Sequence, residues 1–251
     1  MPASTPSSSP VNPHRHPEMD QAFAALKKYD RGSSRADLVP IDDAVASRPD
    51  SCNRSELERR LLAMLQSPVS LSAKEYICGK LALIGTAASA TSLLELLPDS
   101  RLAHAALNAL MAIPGPESAA ALRQSLAILT GMPLLGAIQA VGHRQDSKSV
   151  NRLAGFLENP DPALAEAAAH ALGLIGVPSG ARALIRFLPK ASPLLKNTMA
   201  DSCLRCARIL LEQGQTRTVK ALCRPFTSSP WPAHVREAAQ QCLSASLRQS
   251  Q

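Results

Sequence analysis

Apolar residues recur at helical spacing along most of this chain, in segments that end at a glycine or a proline. Four of these segments stop where an Ile or a Val leads into glycine, at Ile84-Gly85, Ile113-Pro114-Gly115, Val141-Gly142 and Ile175-Gly176. The intervals between the apolar anchors are 29, 28 and 34 residues, and a shorter apolar segment follows each stop. A repeat of this length predicts a solenoid built from helical hairpins.

The segments pair into five predicted hairpins, each with a first helix (A) and a second helix (B), and one more helix closes the array. The A helices are rich in alanine, which lets neighbouring helices approach closely, whereas the B helices carry bulkier Leu and Phe. The predicted A and B segments are 72–85 with 89–97, 101–113 with 117–129, 133–142 with 148–158, 162–176 with 180–188, and 193–214 with 216–226, followed by the closing helix at 232–247.

The region before the hairpins is less regular. Short helices are expected at 21–30 and 35–47, with Ser34 as an N-cap of the second and Pro40 marking a boundary or a kink. Residues 47–54 are expected to form a loop. A further helix is then expected, because Ser55 and Glu58 match the capping-box pattern. The apolar stripe of this helix consists of Leu57, Leu61, Leu62 and Leu65.

Three regions are therefore predicted: a disordered tail at 1–17, an N-terminal helical cap at 18–53, and the repeat solenoid at 54–247. The tail lacks the apolar stretch of a secretory signal peptide, and no segment approaches the ~18 apolar residues that a membrane span requires. The six cysteines are scattered, and most of them fall in apolar helical patterns, which favours a reducing compartment. We expect a cytoplasmic protein.

The residues between the helices predict how the helices begin and end. Glycine just past the last periodic residue predicts a left-handed C-terminal cap at the stops. Asp161-Pro162 predicts a helix start, because proline fits the first turn, where its missing N–H would have no partner anyway.

Two stretches carry a resemblance to a known family. The sequences DPALAEAAAHALGLIGVPSGARALIRFL and LSAKEYICGKLALIGTAASATSLLELL resemble short HEAT repeats, in particular those of the phycobilisome-lyase HEAT-like type. The resemblance covers roughly residues 55–245 and is strongest at 160–188. It implies an all-α, right-handed α-solenoid, a superhelix of HEAT-like hairpins whose second helices line the concave surface. HEAT-like arrays serve as scaffolds, adaptors and lyases, so the fold alone does not identify the activity.

Assigning residues to the B helices shows where many of the cations behind the net charge of +7 lie. The B helices of the third to fifth hairpins and their flanks carry eight cations against one acid, Glu158. The cations are Lys148, Arg152, Arg182, Arg186, Lys190, Arg217, Lys220 and Arg224. Within this set, Arg182 and Arg186 lie on one helix face because they are four residues apart, as are Lys148 and Arg152.

This basic pattern has three interpretations. It is typical of an ordinary solvated helix face, of a surface for an acidic protein segment, or of a phosphate-backbone site. Aromatic residues make up only 3% of the chain, so few are available to stack on bases, and an acidic protein is favoured over nucleic acid.

The cysteine and histidine patterns predict no metal or cofactor site. Cys203 and Cys206 form a CxxC in mid-helix without a second ligand pair, which indicates core cysteines. His14 and His16 lie in the tail, and His104 and His170 are expected to be buried or half-buried in A helices. The chain contains no His-Glu pair, which counts against the HEAT-like di-iron hydroxylases.

The remaining candidates have ordinary structural interpretations. Asp42-Asp43 is a paired carboxylate on a polar segment and is expected to be solvated. Trp231 is expected to shield the open end of the core, since terminal repeats must cover it, and the alternative is an aromatic anchor for a partner.

We therefore expect a non-enzymatic interaction or scaffold module, without a cofactor, that binds an acidic protein partner through a basic concave surface. Two alternatives stay open. One is a bilin-lyase-like cofactor handler, which the family resemblance implies. The other is a nucleic-acid-binding protein with a basic groove, similar to HEAT-like DNA-repair glycosylases.

Overall fold

The computed structural model describes residues 17–47, 51–228 and 230–249, and all regular structure in these residues is helical. The all-α class is thereby confirmed. The chain divides into two compact units between Lys74 and Glu75. The predicted disordered tail lies outside the described residues, apart from Pro17, which is the first residue of a helix.

The N-terminal unit consists of short helices around a small apolar core. Its helices are α1 (Pro17–Lys28), α2 (Val39–Ala46), which follows a 3-10 turn at Ala36–Leu38, and α3 (Ser51–Leu65). Phe23 of α1, Ile41 of α2 and Leu61 of α3 are buried in it. Arg60 connects α3 to α1, because its guanidinium lies 4.1 Å from the Phe23 ring centroid and 2.9 Å from a carboxylate oxygen of Asp20.

Two details of this unit differ from the sequence prediction. Helix α3 begins at Ser51, so residues 51–54 are helical and not part of a loop, and Ser55 lies inside the helix instead of capping it. The capping-box prediction is therefore wrong at Ser55. Proline at position 40 does mark a boundary, because it stands in the first turn of α2.

The second unit contains the five predicted hairpins and the closing helix. Helix α4 begins just before the division between the units. The A helices are α4 (Leu71–Ile84), α6 (Ser100–Ala112), α8 (Gly131–His143), α10 (Pro162–Ile175) and α12 (Pro193–Glu212). The B helices are α5 (Ala87–Leu96), α7 (Pro116–Ile128), α9 (Val150–Phe156), α11 (Pro178–Phe187) and α13 (Thr216–Cys223). The closing helix is α14 (Ala233–Arg248).

These helices form two layers. Within one layer α6, α8, α10, α12 and α14 each contact the next, and within the other α5 contacts α7, while α11 contacts both α9 and α13. The A helices α6, α10 and α12 also pack against the B helices of their own hairpins, α7, α11 and α13. The core between the layers is aliphatic, with Ile138, Leu172 and Leu184 among its fully buried side chains. Among the described helices, none has both the length and the apolar character that crossing a membrane requires.

Glycine acts differently at the four stops than the sequence predicted. Only Gly176 ends its A helix as a left-handed cap, with φ of 61° and its amide donating to the carbonyl of Leu172. Gly142 lies inside α8, and a Cβ there would sit 2.8 Å from Cα of Ala171 in α10. Gly85 does not have a positive φ, and Gly115, with φ of 107°, instead precedes α7 as its N-cap. Small size for close helix approach therefore explains Gly142, and backbone freedom explains Gly176.

Side chains from the third hairpin also cap its neighbours. The guanidinium of Arg144 donates to the carbonyls of Leu110, Met111 and Ile113 at the end of α6, and to that of Gly115. The next residue, Gln145, donates to the carbonyl of Leu174 near the end of α10. Because the last carbonyls of a helix lack partners within it, these bonds join successive hairpins. Helix α10 begins at Pro162 as predicted, and the side chain of Asp161 caps it, accepting from the amide of Ala163 at 2.9 Å.

Candidate functional site

The predicted cations lie on the B helices α9, α11 and α13 and on the short 3-10 turns that adjoin them. Helix α11 lies between α9 and α13, and its apolar side chains Ala181 and Leu184 are buried against the A layer. Arg182 and Arg186 are consequently exposed on the opposite side. The same alternation of buried and exposed positions holds on α9 and α13, so each of the three helices presents cations to solvent.

Five of these cations are exposed and form no salt bridge, side-chain hydrogen bond or ring contact with the described residues. They are Lys148, Arg182, Arg186, Arg217 and Arg224. We call this set the basic surface. An exposed cation with no carboxylate beside it keeps its full charge available for a partner, so the basic surface is able to attract an anionic molecule.

The other three cations of the pattern are less available to a partner, because they have contacts within the chain or are half-buried. Arg152 donates to the carbonyl of Leu126 at 3.2 Å, and its guanidinium lies 5.3 Å from the Phe156 ring centroid. Lys190 lies 3.6 Å from a carboxylate oxygen of Glu158, with both side chains exposed. Lys220 is half-buried. Arg152 and Lys190 therefore already have partners within the chain.

Two crevices lie in the region of α9 to α12, and the smaller one includes Arg186 of the basic surface. A small one of about 90 Å³ lies between α9 and α11 and is lined by Ala154, Arg186 and Phe187 among others. A larger groove of about 630 Å³ lies between the α9–α10 loop and the start of α12. The larger groove combines apolar side chains with charged ones, namely Leu157, Pro160, Pro162, Ala165, Phe187, Leu194 and Leu195 with Glu158, Glu166 and Lys190. Leu194 is 78% exposed, which is unusual for so large an apolar side chain.

The CxxC cysteines are core residues, as predicted. Cys203 and Cys206 are fully buried in α12, and burial raises the pKa of both thiols, that of Cys206 to about 12. Thiols of such high pKa remain protonated at neutral pH and make poor nucleophiles. Among the described residues, no group of three or more His, Cys, Asp or Glu side chains is arranged to hold a metal ion.

The histidine prediction is wrong for two residues. His104 and His170 are both exposed, although they belong to alanine-rich A helices. A ring nitrogen of His104 lies 3.0 Å from the side-chain nitrogen of Asn108, and the pKa of His170 is lowered by partial burial and by the nearby charges of Arg205 and His143. His14 and His16 lie outside the described residues.

Trp231 packs against the core, as its structural interpretation requires, whereas Asp42 is half-buried and not fully solvated as predicted. Trp231 is half-buried and packs edge-on against the buried Phe226, with ring centroids 4.9 Å apart. Asp42 lies 3.6 Å from Arg35, and its neighbour Asp43 is exposed.

Sequence reasoning missed one cluster of reactive groups. The pKa of Cys242 on α14 is lowered to about 7 by the thiol of Cys223 on α13 and by the charge of Arg208 on α12, against the opposing effect of burial. No sequence spacing signals this pair, because the two residues come together only when α14 docks on α13.

Comparison with known proteins identifies the repeat type. Residues 134–202 match the HEAT repeats family. The resemblance to HEAT repeats inferred from the sequence is thereby confirmed. The matched segment includes α9 and α11, and therefore Lys148, Arg152, Arg182 and Arg186 of the basic pattern. It ends within α12, before α13.

Two solved structures are similar to this chain. One is the crystal structure of an engineered protein, which is 17% identical with a TM-score of 0.45 and covers 84% of this chain and 97% of its own. The other is the complex of CpcE and CpcF of phycocyanin lyase from Nostoc sp. PCC7120, which is 16% identical with a TM-score of 0.44 and covers 97% of this chain and 99% of its own. No curated protein matches the sequence.

Proposed function

We propose that this chain is a non-enzymatic HEAT-repeat module that binds an acidic segment of a protein partner through the basic surface. The observation that carries the proposal is the set of five exposed cations, without carboxylate partners among the described residues, on α11, on α13 and on the 3-10 turns that adjoin α9 and α13. In this proposal the B-helix side is the concave surface of a right-handed superhelix and the protein is cytoplasmic.

The chemistry of the surface favours a carboxylate-rich partner. Arginine forms paired hydrogen bonds with carboxylates, and four of the five free cations are arginines. The side chain of Arg186 also lines the small crevice that contains Phe187, so that an acidic segment with an apolar residue finds both kinds of contact there.

Nucleic acid is the weaker candidate because base stacking has little support on this surface. The aromatic side chain next to Arg152 is Phe156, and its ring is already covered by the Arg152 guanidinium. Aromatic stacking is a main source of affinity for single strands. A DNA-binding role for the basic surface would therefore depend mainly on phosphate contacts.

A bilin-lyase-like role would require a site for a large conjugated ligand. The groove of about 630 Å³ is large enough for a small molecule. Of the aromatic side chains in the described part of the chain, however, only Phe187 lines it, and two of its three charged groups are carboxylates. Its lining therefore offers little specific recognition of a tetrapyrrole.

The test is a comparison of partners recovered with matched variants. Affinity purification with the intact chain should recover a discrete protein, and R182Q/R186Q should lose it. The control variant K27Q/K28Q removes the same number of exposed charges from α1, outside the basic surface, and should keep the partner. Cross-linking should map the contact on the partner to a segment rich in Asp and Glu.

A direct binding measurement separates the alternatives. Fluorescence anisotropy with a labelled poly-glutamate peptide and with a random-sequence DNA duplex should show tighter binding to the peptide. R182Q/R186Q should weaken peptide binding at least about tenfold, since each lost charge-assisted hydrogen bond contributes roughly 1.5–3 kcal/mol. Tighter binding to DNA, with affinity that falls steeply with salt, would instead support the nucleic-acid role.

A further inference from the structure

The small crevice at the basic surface is continuous with the larger groove. Both are lined by the same four residues, Leu157, Glu158, Phe187 and Lys190. The crevice also includes Arg186 of α11, and the groove continues from there to the first turn of α12. A segment that binds Arg186 is therefore able to enter the groove without leaving the surface of the protein.

The groove has an exposed leucine in its wall. Leu194 is 78% exposed, more than any other large apolar side chain among the described residues. It lies in the first turn of α12, next to Pro193, and the hydroxyl of Ser192 caps this turn by accepting from the amide of Leu195. The capped helix start holds the Leu194 side chain at the groove, where a partner that covered it would remove apolar surface from water.

The charges differ between the two parts. The groove contains two carboxylates, Glu158 and Glu166, against the ammonium of Lys190, which leaves it a net charge of −1. The crevice contains Arg186 and Lys190 against Glu158, which gives it a net charge of +1. Glu166 is half-buried and forms no salt bridge with the described residues, so its charge is not neutralised within that part of the chain. An acidic side chain is therefore attracted to the crevice and repelled from the groove.

We propose that the larger groove binds an aliphatic side chain of leucine size, which the partner carries next to the acidic residues that bind the basic surface. This inference rests on the proposed function and adds an apolar anchor to it. The carboxylates of the partner pair with Arg182 and Arg186. Its aliphatic side chain packs against Phe187 and Leu194.

The two parts of such a partner contribute to binding in different ways. Pairs between carboxylates and exposed arginines weaken as salt screens them. Burial of an aliphatic side chain depends on the apolar area removed from water and is not screened. The groove volume of about 630 Å³ lies within the range of about 300–1,000 Å³ found for small-molecule pockets, so a leucine side chain with its flanking backbone has room there.

The experiment measures fluorescence anisotropy of two labelled peptides with the full chain. Each peptide has six glutamates, followed at both ends by a glycine and one further residue, which is leucine in one peptide and alanine in the other. Because the leucine stands at both ends, the result does not depend on the direction in which the segment binds. The wild-type chain should bind the leucine peptide at least about tenfold more tightly, as expected for burial of one leucine side chain.

Variants locate the two contributions. Leu194→Ser should remove most of the advantage of the leucine peptide and leave the affinity for the alanine peptide nearly unchanged. The matched control is Leu83→Ser, which removes a leucine that is 66% exposed on α4 and should keep the full advantage. R182Q/R186Q should weaken both peptides by the same factor. Added salt should also weaken both while preserving their ratio.

The outcomes separate this inference from the proposed function. Equal affinities of the wild-type chain for the two peptides, with R182Q/R186Q weakening both, would overturn the apolar anchor and leave the basic surface as the binding site. If neither peptide bound, or if R182Q/R186Q had no effect, both would be overturned.

Sedimentation velocity tests a second copy of this chain as the occupant of the groove. The wild-type chain and Leu194→Ser should both sediment as monomers. A concentration-dependent dimer that Leu194→Ser abolishes would show that a second copy covers the groove, and the proposal would then be wrong.

Discussion

At the residue scale, two glycines of the A helices lie where a larger side chain would collide with the next A helix. Gly142 faces Ala171, and Gly173 faces the backbone of Ser202, so each marks a point where one A helix closely approaches the next. Gly155 of α9 lies in a helix as well, yet a Cβ there would meet nothing within 4 Å. Close packing therefore requires a glycine at position 142, whereas the space around Gly155 would accept a side chain.

This contrast predicts opposite effects of the same substitution. Gly142→Ala should lower the free energy of unfolding by about 1–3 kcal/mol, because the new methyl group would sit 2.8 Å from Cα of Ala171 and force α8 and α10 apart. Gly155→Ala should raise it by up to about 1 kcal/mol, since alanine favours the helix and has free space. Urea unfolding followed by circular dichroism measures both changes. Equal stability of the two variants would contradict the proposed close packing of α8 and α10.

At the element scale, the periodic pattern predicted the helices well and their caps less well. The A segment expected at 162–176 is observed as Pro162–Ile175, and the B segment expected at 117–129 as Pro116–Ile128. These bounds follow from local apolar spacing and from proline and glycine positions. Capping by Arg144 depends on residues more than 30 positions apart, so no local pattern could reveal it.

Arg144 should therefore matter more than its partial exposure suggests. Arg144→Ala leaves the last carbonyls of α6 without their donor, and we expect a loss of about 2–3 kcal/mol in unfolding free energy. Arg144→Lys should restore only part of it, because an ammonium group cannot reproduce the planar fork of the guanidinium.

The matched control for Arg144 is Arg101→Ala. Arg101 is an exposed arginine that pairs with Asp99 only two residues away, so its removal should leave the unfolding midpoint nearly unchanged. Urea midpoints for all three variants and the wild type measure the effect. Similar midpoints for R144A and R101A would show that the bridge from α8 to α6 contributes nothing to stability.

At the scale of the repeat unit, the array is held together by contacts between neighbouring helices. Helix α10 packs against α8 and α12, and α14 packs against α12 and α13. In such a structure stability is close to a sum of hairpin and neighbour terms.

The basic surface follows from the same arrangement, since α9, α11 and α13 lie side by side although their cations are spread from residue 148 to residue 224. The sequence predicted this grouping because the repeat period assigns each segment to a layer. It could not reveal which cations pair with partners inside the chain, as Arg152 and Lys190 do.

Because each helix is stabilised mainly by the helices it contacts, the loss of a packing contact near α14 should destabilise mainly the neighbouring helices. Trp231→Ala removes the ring that packs edge-on against Phe226, a fully buried side chain beside α13 and α14. We expect faster amide hydrogen exchange in α13 and α14, a smaller effect in α12, and none in α6 or α8, because each helix transmits the loss only to those it contacts. Hydrogen exchange read by mass spectrometry on the intact chain measures this gradient. Trp231→Phe should restore most of the protection, since it keeps an aromatic ring against Phe226. A uniform increase in the exchange rate from α6 to α14 would mean that the unit unfolds as one cooperative block and that its hairpins do not unfold independently.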